Sequence, residues 1–205
     1  MGGFRIGRRG LLAASGALVA VPVLGRAASA KPRVTMQTSL GAILLELEAE
    51  KAPITTANFL RYAVVGRHDG ANIFRASRTE GAPTTGFIEG RLSTNTTKLL
   101  PPILHESTLK TGLLHTDGTI SMARGAVGSA RVDFFICAGP APYFDADPNA
   151  PGDNQGYAAF GTVVEGMDVV RAILALPTPG VARNPAMKGQ MLAPPVPITG
   201  MKRMA

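Results

Sequence analysis

The most informative stretch of the chain reads Phe160-Gly161-Thr162-Val163-Val164-Glu165-Gly166-Met167-Asp168-Val169-Val170. Its first half belongs to an apolar run over residues 158–164, which predicts a β-strand. From residue 166 to residue 176, apolar side chains recur every three to four positions, which predicts an amphipathic helix. Pro177 ends this helix, because proline cannot continue the helical hydrogen bonds.

Short strands and turns make up most of the remaining chain. Pro53 begins a second predicted helix, at a position where a missing N–H costs nothing, and Gly66 ends it. Two helices and about eight strands favour a mainly β domain, a barrel with helical plugs, although periodicity alone does not separate a barrel from a sandwich. The other predicted strands cover residues 33–38, 42–47, 72–76, 87–89, 119–122, 132–138 and 196–201.

The composition indicates one globular domain. Of the 205 residues, 45% are hydrophobic and 17% are charged, and glycine (24) and proline (16) are frequent, as in strands joined by turns. The formal charge is +7, but four of the 21 basic residues and none of the 14 acidic ones lie in the first 30, which leaves +3 for the remainder. Because the sequence also lacks Lys/Arg runs with interleaved aromatics, nucleic acid is not an expected partner.

Residues 1–30 have the three parts of a cleavable signal peptide. Arg5 and the pair Arg8-Arg9 make the start positive, residues 10–25 are uncharged, and Ala28-Ser29-Ala30 supplies the small residues that signal peptidase requires. Cleavage would leave residues 31–205 as the mature domain. The arginine pair resembles a twin-arginine export signal, with an ordinary Sec signal as the alternative.

The signal peptide also predicts where the protein acts. Its uncharged stretch is shorter than the ~20 apolar residues of a spanning helix, so we expect no stable membrane association after cleavage. The mature protein is expected in the periplasm or outside the cell. None of the predicted helices has an exposed apolar seam, so we expect a monomer.

Cysteine and histidine do not suggest a metal or redox site. Cys137 is the only cysteine and lies in an apolar run, so it is expected to be a buried thiol without an internal disulfide. His68, His105 and His115 do not have metal-ligand spacing, and each is expected to be a surface or structural histidine.

Five segments resemble the cyclophilin family of peptidyl-prolyl cis/trans isomerases, in the same order. They are Lys51-Ala52-Pro53 with Asn58-Phe59, Ile73-Phe74-Arg75, Gly118-Thr119-Ile120-Ser121-Met122-Ala123, Asp133-Phe134-Phe135-Ile136 and the stretch 160–170 quoted above. The resemblance extends over residues 33–201 and, with the signal peptide, implies a bacterial exported member. It implies a closed eight-stranded antiparallel β-barrel capped by two α-helices. The groove that binds X-Pro peptides lies outside such a barrel, and the family uses no cofactor or metal.

The resemblance also implies a site. Arg75 matches the family's catalytic arginine and Phe135 a wall of its proline pocket, whereas Phe134 should point the opposite way, into the barrel. Taken without the family match, Phe135 is simply a core residue and Arg75 a solvated strand arginine. The other implied substrate-binding residues are Phe87, Glu89, Ala123, Arg124, Asp133, Phe144 and Tyr157.

Several of these positions depart from the family pattern. Glu89 and Asp133 stand where the family usually has Gln, and Arg124 replaces an Asn that holds the substrate backbone. Our hypothesis is that Glu89 pairs with Arg75, and Arg124 with Asp133. A carboxylate beside the catalytic arginine could compete with the substrate, so we expect weaker isomerase activity than in typical members.

Other departures lengthen the rim of the groove. Residues 77–86 are extra between Arg75 and Phe87, and Gly86 stands where a pocket aromatic is usual. The loop over residues 145–156 is longer as well, and Tyr157 follows it where the family often has His.

The resemblance predicts an enzyme that accelerates rotation about X-Pro bonds while exported proteins fold. Its expected partners are proline-containing peptides and unfolded exported proteins. The alternative is a catalytically weak cyclophilin-like module that binds peptides as a chaperone. A third interpretation, an unrelated β-barrel binding protein, would require the ordered matches to be chance.

Overall fold

The structure is a computed structural model that describes residues 1–3 and 30–204. Contacts divide the chain into two units, Met1–Ala30 and Lys31–Ala205, and every helix and strand of the described residues lies in the second. The predicted signal peptide falls almost wholly outside the described residues. Within the described part of the chain, the helices are too short or too polar to cross a membrane.

Eight antiparallel strands close into a barrel in the order β1-β2-β7-β5-β6-β4-β3-β8. Closure confirms the predicted barrel and excludes a sandwich. The strands are β1 Arg33–Thr38, β2 Gly41–Leu47, β3 Asn72–Thr79, β4 Ala82–Arg91, β5 Thr119–Met122, β6 Asp133–Ala138, β7 Ala158–Glu165 and β8 Met191–Arg203. The α-helices are α1 Pro53–Val64, α2 Thr108–Thr111 and α3 Met167–Leu174.

The two predicted helices are α1 and α3, which pack against the barrel. α1 lies against β7 and β8, and α3 lies against β2, β3, β4 and β6. The single turn α2 was not predicted, because four residues are too few for a periodic pattern. Ser107 caps it and Gly112, at φ 68°, ends it.

The extra residues 77–86 form the end of the β3–β4 hairpin. Arg78 of β3 still pairs with Gly86 of β4, and Thr79 pairs with Ala82. The chain reverses at Gly81, with φ 75°. Gly86 has φ 139°, and a Cβ there would lie 2.0 Å from the backbone oxygen of Ser77. Glycine is therefore required at this position, which explains why no aromatic stands there.

Side chains fill the barrel interior. Phe59 of α1 inserts between Phe134 and Phe160, with ring centroids 6.2 and 5.3 Å away, and all three rings are fully buried. A filled interior is the usual state of an eight-stranded barrel. A ligand site must therefore lie on the outer surface.

The start of α1 is held by a residue far away in sequence. Ala52 precedes the helix and cannot cap it, but the buried carboxylate of Glu106 accepts the backbone N–H of Ile54 at 3.1 Å and of Thr55 at 2.8 Å. It also accepts the Thr55 hydroxyl at 2.7 Å. This contact fixes α1 against the connection between β4 and β5.

Candidate active site

Strand β6 presents two phenylalanines to opposite sides of the barrel. Phe134 points into the main core, as predicted, and Phe135 belongs to a second apolar cluster on the outer side. In that cluster the Phe135 ring lies 4.7 Å from Phe144, 5.3 Å from Tyr157 and 5.7 Å from Phe87, measured between centroids. The alternating direction of strand side chains separates core from surface cluster.

A cavity of about 320 Å³ opens on this aromatic cluster. Tyr143, Ser77 and Met187 also line it. Of the nine site residues implied by sequence, eight line this cavity: Arg75, Phe87, Glu89, Ala123, Arg124, Phe135, Phe144 and Tyr157. The structure therefore brings together residues from β3, β4, β6 and three connecting segments.

Arg75 is held on both edges of its guanidinium. Its Nη1 donates to Glu89 Oε2 at 2.8 Å, which is the predicted ion pair. Its Nε and Nη2 both donate to Gln190 Oε1, at 2.8 and 2.6 Å. The guanidinium carbon lies 4.9 Å from the Phe87 ring centroid, and the side chain is 15% exposed. The cation is thus fixed on the rim of the cavity and still reaches solvent.

Glu89 is a buried carboxylate, with the whole residue 7% exposed. Burial raises its pKa, and the hydrogen bond and charge of Arg75 oppose that shift only in part. Asp133 raises the pKa further by repulsion. The group beside Arg75 is therefore more easily protonated than an ordinary glutamate.

The predicted pairing of Arg124 with Asp133 is wrong. Arg124 instead donates to both carboxylate oxygens of Asp153, at 2.7 and 2.8 Å, and its Nε donates to the backbone oxygen of Gly156 at 2.9 Å. Asp153 is in the lengthened loop 145–156, which sequence spacing could not place beside Arg124. The pair lowers the pKa of Asp153 to about 2.

Asp133 pairs with Arg91 across β4 and β6, with Nε 2.6 Å from Oδ1 and Nη2 3.0 Å from Oδ2. The two residues face each other in the strand register, which explains the choice of partner. Asp133 lies outside the aromatic cavity and lines a neighbouring cavity of about 300 Å³. The neighbouring cavity shares Glu89, Ala123, Arg124 and Met187 with the first.

A buried histidine supports the cavity from behind. His115 stacks on Phe135 with a centroid distance of 5.7 Å and 12° between the planes. Its Nδ1 lies 2.6 Å from Asp145 Oδ1 and its Nε2 2.9 Å from Ser121 Oγ. Burial lowers its pKa, although Asp145 opposes the shift. His115 is thus a structural histidine, as expected.

Cys137 lies in the same cluster, buried and unpaired in the described part of the chain. Burial raises the pKa of its thiol to about 12, so the sulfur stays protonated at neutral pH. This agrees with the expected core thiol.

Comparison with known proteins identifies the family. The model of the cyclophilin type peptidyl-prolyl cis-trans isomerase/CLD family matches residues 33–202. The chain belongs to this family. This cyclophilin is a peptidyl-prolyl cis-trans isomerase, and isomerases from several organisms resemble it over most of its length.

Two bacterial relatives and one solved structure illustrate the similarity. A peptidyl-prolyl cis-trans isomerase of Streptomyces antibioticus is 36% identical over 146 residues, which cover 71% of this chain and 84% of that protein. Peptidyl-prolyl cis-trans isomerase B of Escherichia coli is 34% identical over 146 residues, with 71% and 85% covered. A cyclophilin type isomerase of Cryptosporidium parvum, solved in the presence of the dipeptide Ala-Pro, has a TM-score of 0.65 at 18% identity, covering 84% of this chain and 99% of that one.

Among the site residues of this cyclophilin that sequence reasoning missed, two lie in one segment. Gln190 holds Arg75, and Met187 lines both cavities. Both lie in the Pro-rich stretch before β8, which carries no periodic pattern and matches none of the five family segments. No local pattern indicates their place, because the stretch leads into β8 and β8 borders β3 only in the closed barrel.

Proposed function

We propose that this isomerase catalyses rotation about X-Pro bonds in the aromatic cavity, with Arg75 as the catalytic residue. The observation that carries the proposal is a fixed guanidinium on the rim of an apolar cavity of about 320 Å³. Phe135, Phe87 and Phe144 form apolar walls for a proline ring. The Cryptosporidium structure solved with Ala-Pro supports a proline-containing peptide as the substrate.

The chemistry requires no bond to break. Amide resonance gives a barrier of ~18–20 kcal/mol to rotation. Uncatalysed exchange at X-Pro bonds takes tens to hundreds of seconds. A catalyst must bind the twisted amide more tightly than either planar form, so neither a nucleophile nor a general base is needed.

Arg75 discriminates between these forms through the proline nitrogen. In a planar amide the nitrogen lone pair is delocalised into the carbonyl and accepts hydrogen bonds poorly. At a twist of ninety degrees the nitrogen becomes pyramidal and basic, so a cationic donor beside it binds the transition state selectively. A charge-assisted hydrogen bond contributes about 1.5–3 kcal/mol, which corresponds to about 10- to 100-fold in rate.

The cavity supplies the rest of the acceleration. Holding the proline ring between aromatic walls fixes one side of the amide while the preceding residue rotates, and the apolar surroundings strengthen the bond from Arg75. Ala123 lines the same cavity and leaves room for the peptide backbone. Glu89, Arg124, Asp133 and Tyr157 are proposed to contact the substrate around this centre.

The test compares Arg75→Ala with Arg61→Ala in the full chain. Arg61 is exposed on α1 and does not line the cavity, so its removal controls for the loss of a positive charge. We expect kcat/KM on an Ala-Pro peptide to fall about 10- to 100-fold for Arg75→Ala and to stay unchanged for Arg61→Ala. Equal activity of the two variants would refute the role of Arg75. A wild-type protein that binds the peptide without accelerating exchange would favour the peptide-binding chaperone.

We propose further that the substrates are unfolded exported proteins in the periplasm or outside the cell, and that the enzyme is a bacterial monomer. The charge pattern of residues 1–30 and the Ala28-Ser29-Ala30 motif support export. The test is to fuse residues 1–30 to a reporter in a bacterial host and sequence its amino terminus after fractionation. Export with cleavage before Lys31 is expected, and loss of export in Arg8→Lys/Arg9→Lys would favour the twin-arginine route. Retention of uncleaved reporter in the cytoplasm would refute the proposal.

A further inference from the structure

We propose that Gln190 is a positioning residue for Arg75, and that it orients the guanidinium without reducing its charge. The inference rests on the proposed role of Arg75 and goes beyond it. Gln190 lies in the segment 184–190, between α3 and β8, more than a hundred residues from Arg75 in sequence.

The side-chain oxygen of Gln190 accepts two hydrogen bonds from one edge of the guanidinium. Arg75 Nε lies 2.8 Å and Nη2 2.6 Å from the same Oε1 atom. Two donors of a rigid planar group that meet one acceptor fix both the plane and the direction of the group. Without these two bonds, one hydrogen bond to Glu89 and the contact with the Phe87 ring would fix the direction of the N–H groups less firmly.

Three bonds hold Gln190 itself in place. Its backbone oxygen accepts the N–H of Ala76 at 2.9 Å, directly beside Arg75, and its own N–H donates to Met187 at 3.1 Å. Its side-chain Nε2 donates to the backbone oxygen of Ala186 at 3.3 Å. Because a carbonyl accepts from the amide nitrogen, the amide oxygen must face Arg75.

The segment that carries Gln190 is also anchored at both ends. Asn184 Oδ1 caps the 3-10 turn Pro185–Met187 by accepting the N–H of Ala186 at 3.0 Å. Thr178 Oγ1 donates to the backbone oxygen of Gly189 at 2.6 Å. The segment thus forms a fixed wall that places Gln190 against Arg75 and Met187 against the cavity.

Gln190 and Glu89 affect the guanidinium differently. Glu89 brings a carboxylate that offsets the positive charge, whereas the neutral amide of Gln190 leaves it intact. The bonds to these two residues use one N–H on each of the three guanidinium nitrogens, and two of the five N–H groups remain for a substrate. Orientation by Gln190 therefore keeps a charged donor available at the cavity.

The test measures kcat and KM separately for Gln190→Ala, with Lys188→Ala as the matched control. Lys188 is exposed in the same segment and lines neither cavity. We expect Gln190→Ala to lower kcat roughly 10- to 100-fold with KM changed less than about twofold, because a misplaced catalytic group loses rate before binding. Lys188→Ala should match the wild type, and Gln190→Glu, which keeps the acceptor but adds charge, should have an intermediate kcat.

A double variant separates positioning from folding. In the Arg75→Ala background, Gln190→Ala should cause no further loss, because the group that it orients is gone. An equal loss in both backgrounds, or an unchanged kcat for Gln190→Ala alone, would overturn the inference while Arg75 keeps its role. If Arg75→Ala alone retains full activity, the proposed function fails instead. If Gln190→Ala does not fold, Gln190→Glu serves as the test instead, because it keeps the acceptor for Arg75. Exchange of the Arg75 Nε–H with solvent that is faster in Gln190→Glu than in the wild type would then contradict the proposal.

Discussion

Arg75 and Glu89 are direct cross-strand partners on β3 and β4, with Nη1 and Oε2 2.8 Å apart. The strand register therefore places a carboxylate beside the cation that we propose as catalytic. The two side chains are only 15% and 10% exposed, so solvent screens their attraction weakly. The carboxylate offsets part of the positive charge on the guanidinium that we propose to bind the substrate.

Replacing the carboxylate by an amide should raise activity. Glu89→Gln keeps an acceptor of the same shape but replaces a bond between two charges by a bond from the Arg75 cation to a neutral amide, which is weaker by about 1 kcal/mol. We expect kcat/KM on an Ala-Pro peptide to increase about 2- to 10-fold. Unchanged or lower activity would count against a weakening effect of the Glu89 carboxylate on catalysis. The exposed Glu50→Gln serves as the control for the loss of one negative charge.

Lowering the pH should raise the kcat/KM of the wild-type enzyme, as Glu89→Gln does. Since burial raises the pKa of Glu89 above its ordinary 4.5, the carboxylate takes up a proton before other glutamates as the pH falls. The kcat/KM of the wild type should then approach that of Glu89→Gln. NMR exchange spectroscopy on a proline peptide measures this without a coupling protease. If the ratio of the wild-type kcat/KM to that of Glu89→Gln stays constant from neutral pH to the ordinary pKa, the role of the carboxylate is contradicted.

The raised pKa of Glu89 also links stability to pH. Between the ordinary and the raised pKa, the folded protein retains a proton that the unfolded chain has lost. The contribution of Glu89 to the free energy of unfolding is therefore fully present below the ordinary pKa and is lost as the pH rises through the raised value. Urea denaturation of wild type and Glu89→Gln across this range should show a difference that grows toward higher pH. An opposite slope would show that the pKa is lowered.

Substitutions of the neighbouring residues Phe134 and Phe135 should change different properties, stability for Phe134 and activity for Phe135. Phe134→Leu leaves a gap in the core and should cost on the order of 2 kcal/mol of stability with KM unchanged. Phe135→Leu alters the cavity wall and should lower kcat/KM roughly 10-fold. Urea denaturation and peptide assays on both variants measure the two effects. Equal losses of activity would mean that Phe135 acts only through packing.

The contact between Glu106 and α1 should be important for stability. Glu106→Ala leaves the buried N–H of Thr55 and the partly buried N–H of Ile54 without their acceptor, and we expect a loss of about 2–3 kcal/mol. Glu50→Ala, an exposed change before the same helix, should stay within ~0.5 kcal/mol. A midpoint shift in urea of similar size for both variants would exclude a specific capping role.

Local sequence patterns predicted the positions of most of the barrel strands. Strands β1 and β5 were predicted with the bounds that the structure has, and the period of two placed Phe134 and Phe135 on opposite faces. Strand β4 was predicted too short, because Ala82 to Gly86 contains no alternation, and its pairing with β3 comes from the hairpin register. The start of β8 was missed because prolines interrupt it.

Residue types and their order along the chain were enough to establish the barrel, the family and a cavity built around Arg75 and Phe135, since strand alternation and family motifs are local properties. The partners of the charged groups were not local. The hypothesis that Glu89 pairs with Arg75 was correct, but Arg124 pairs with Asp153 in a loop and Asp133 pairs with Arg91 across the sheet. Such pairs depend on which distant segments the closed barrel brings within a few ångströms, and the contact of Gln190 with Arg75 exists for the same reason.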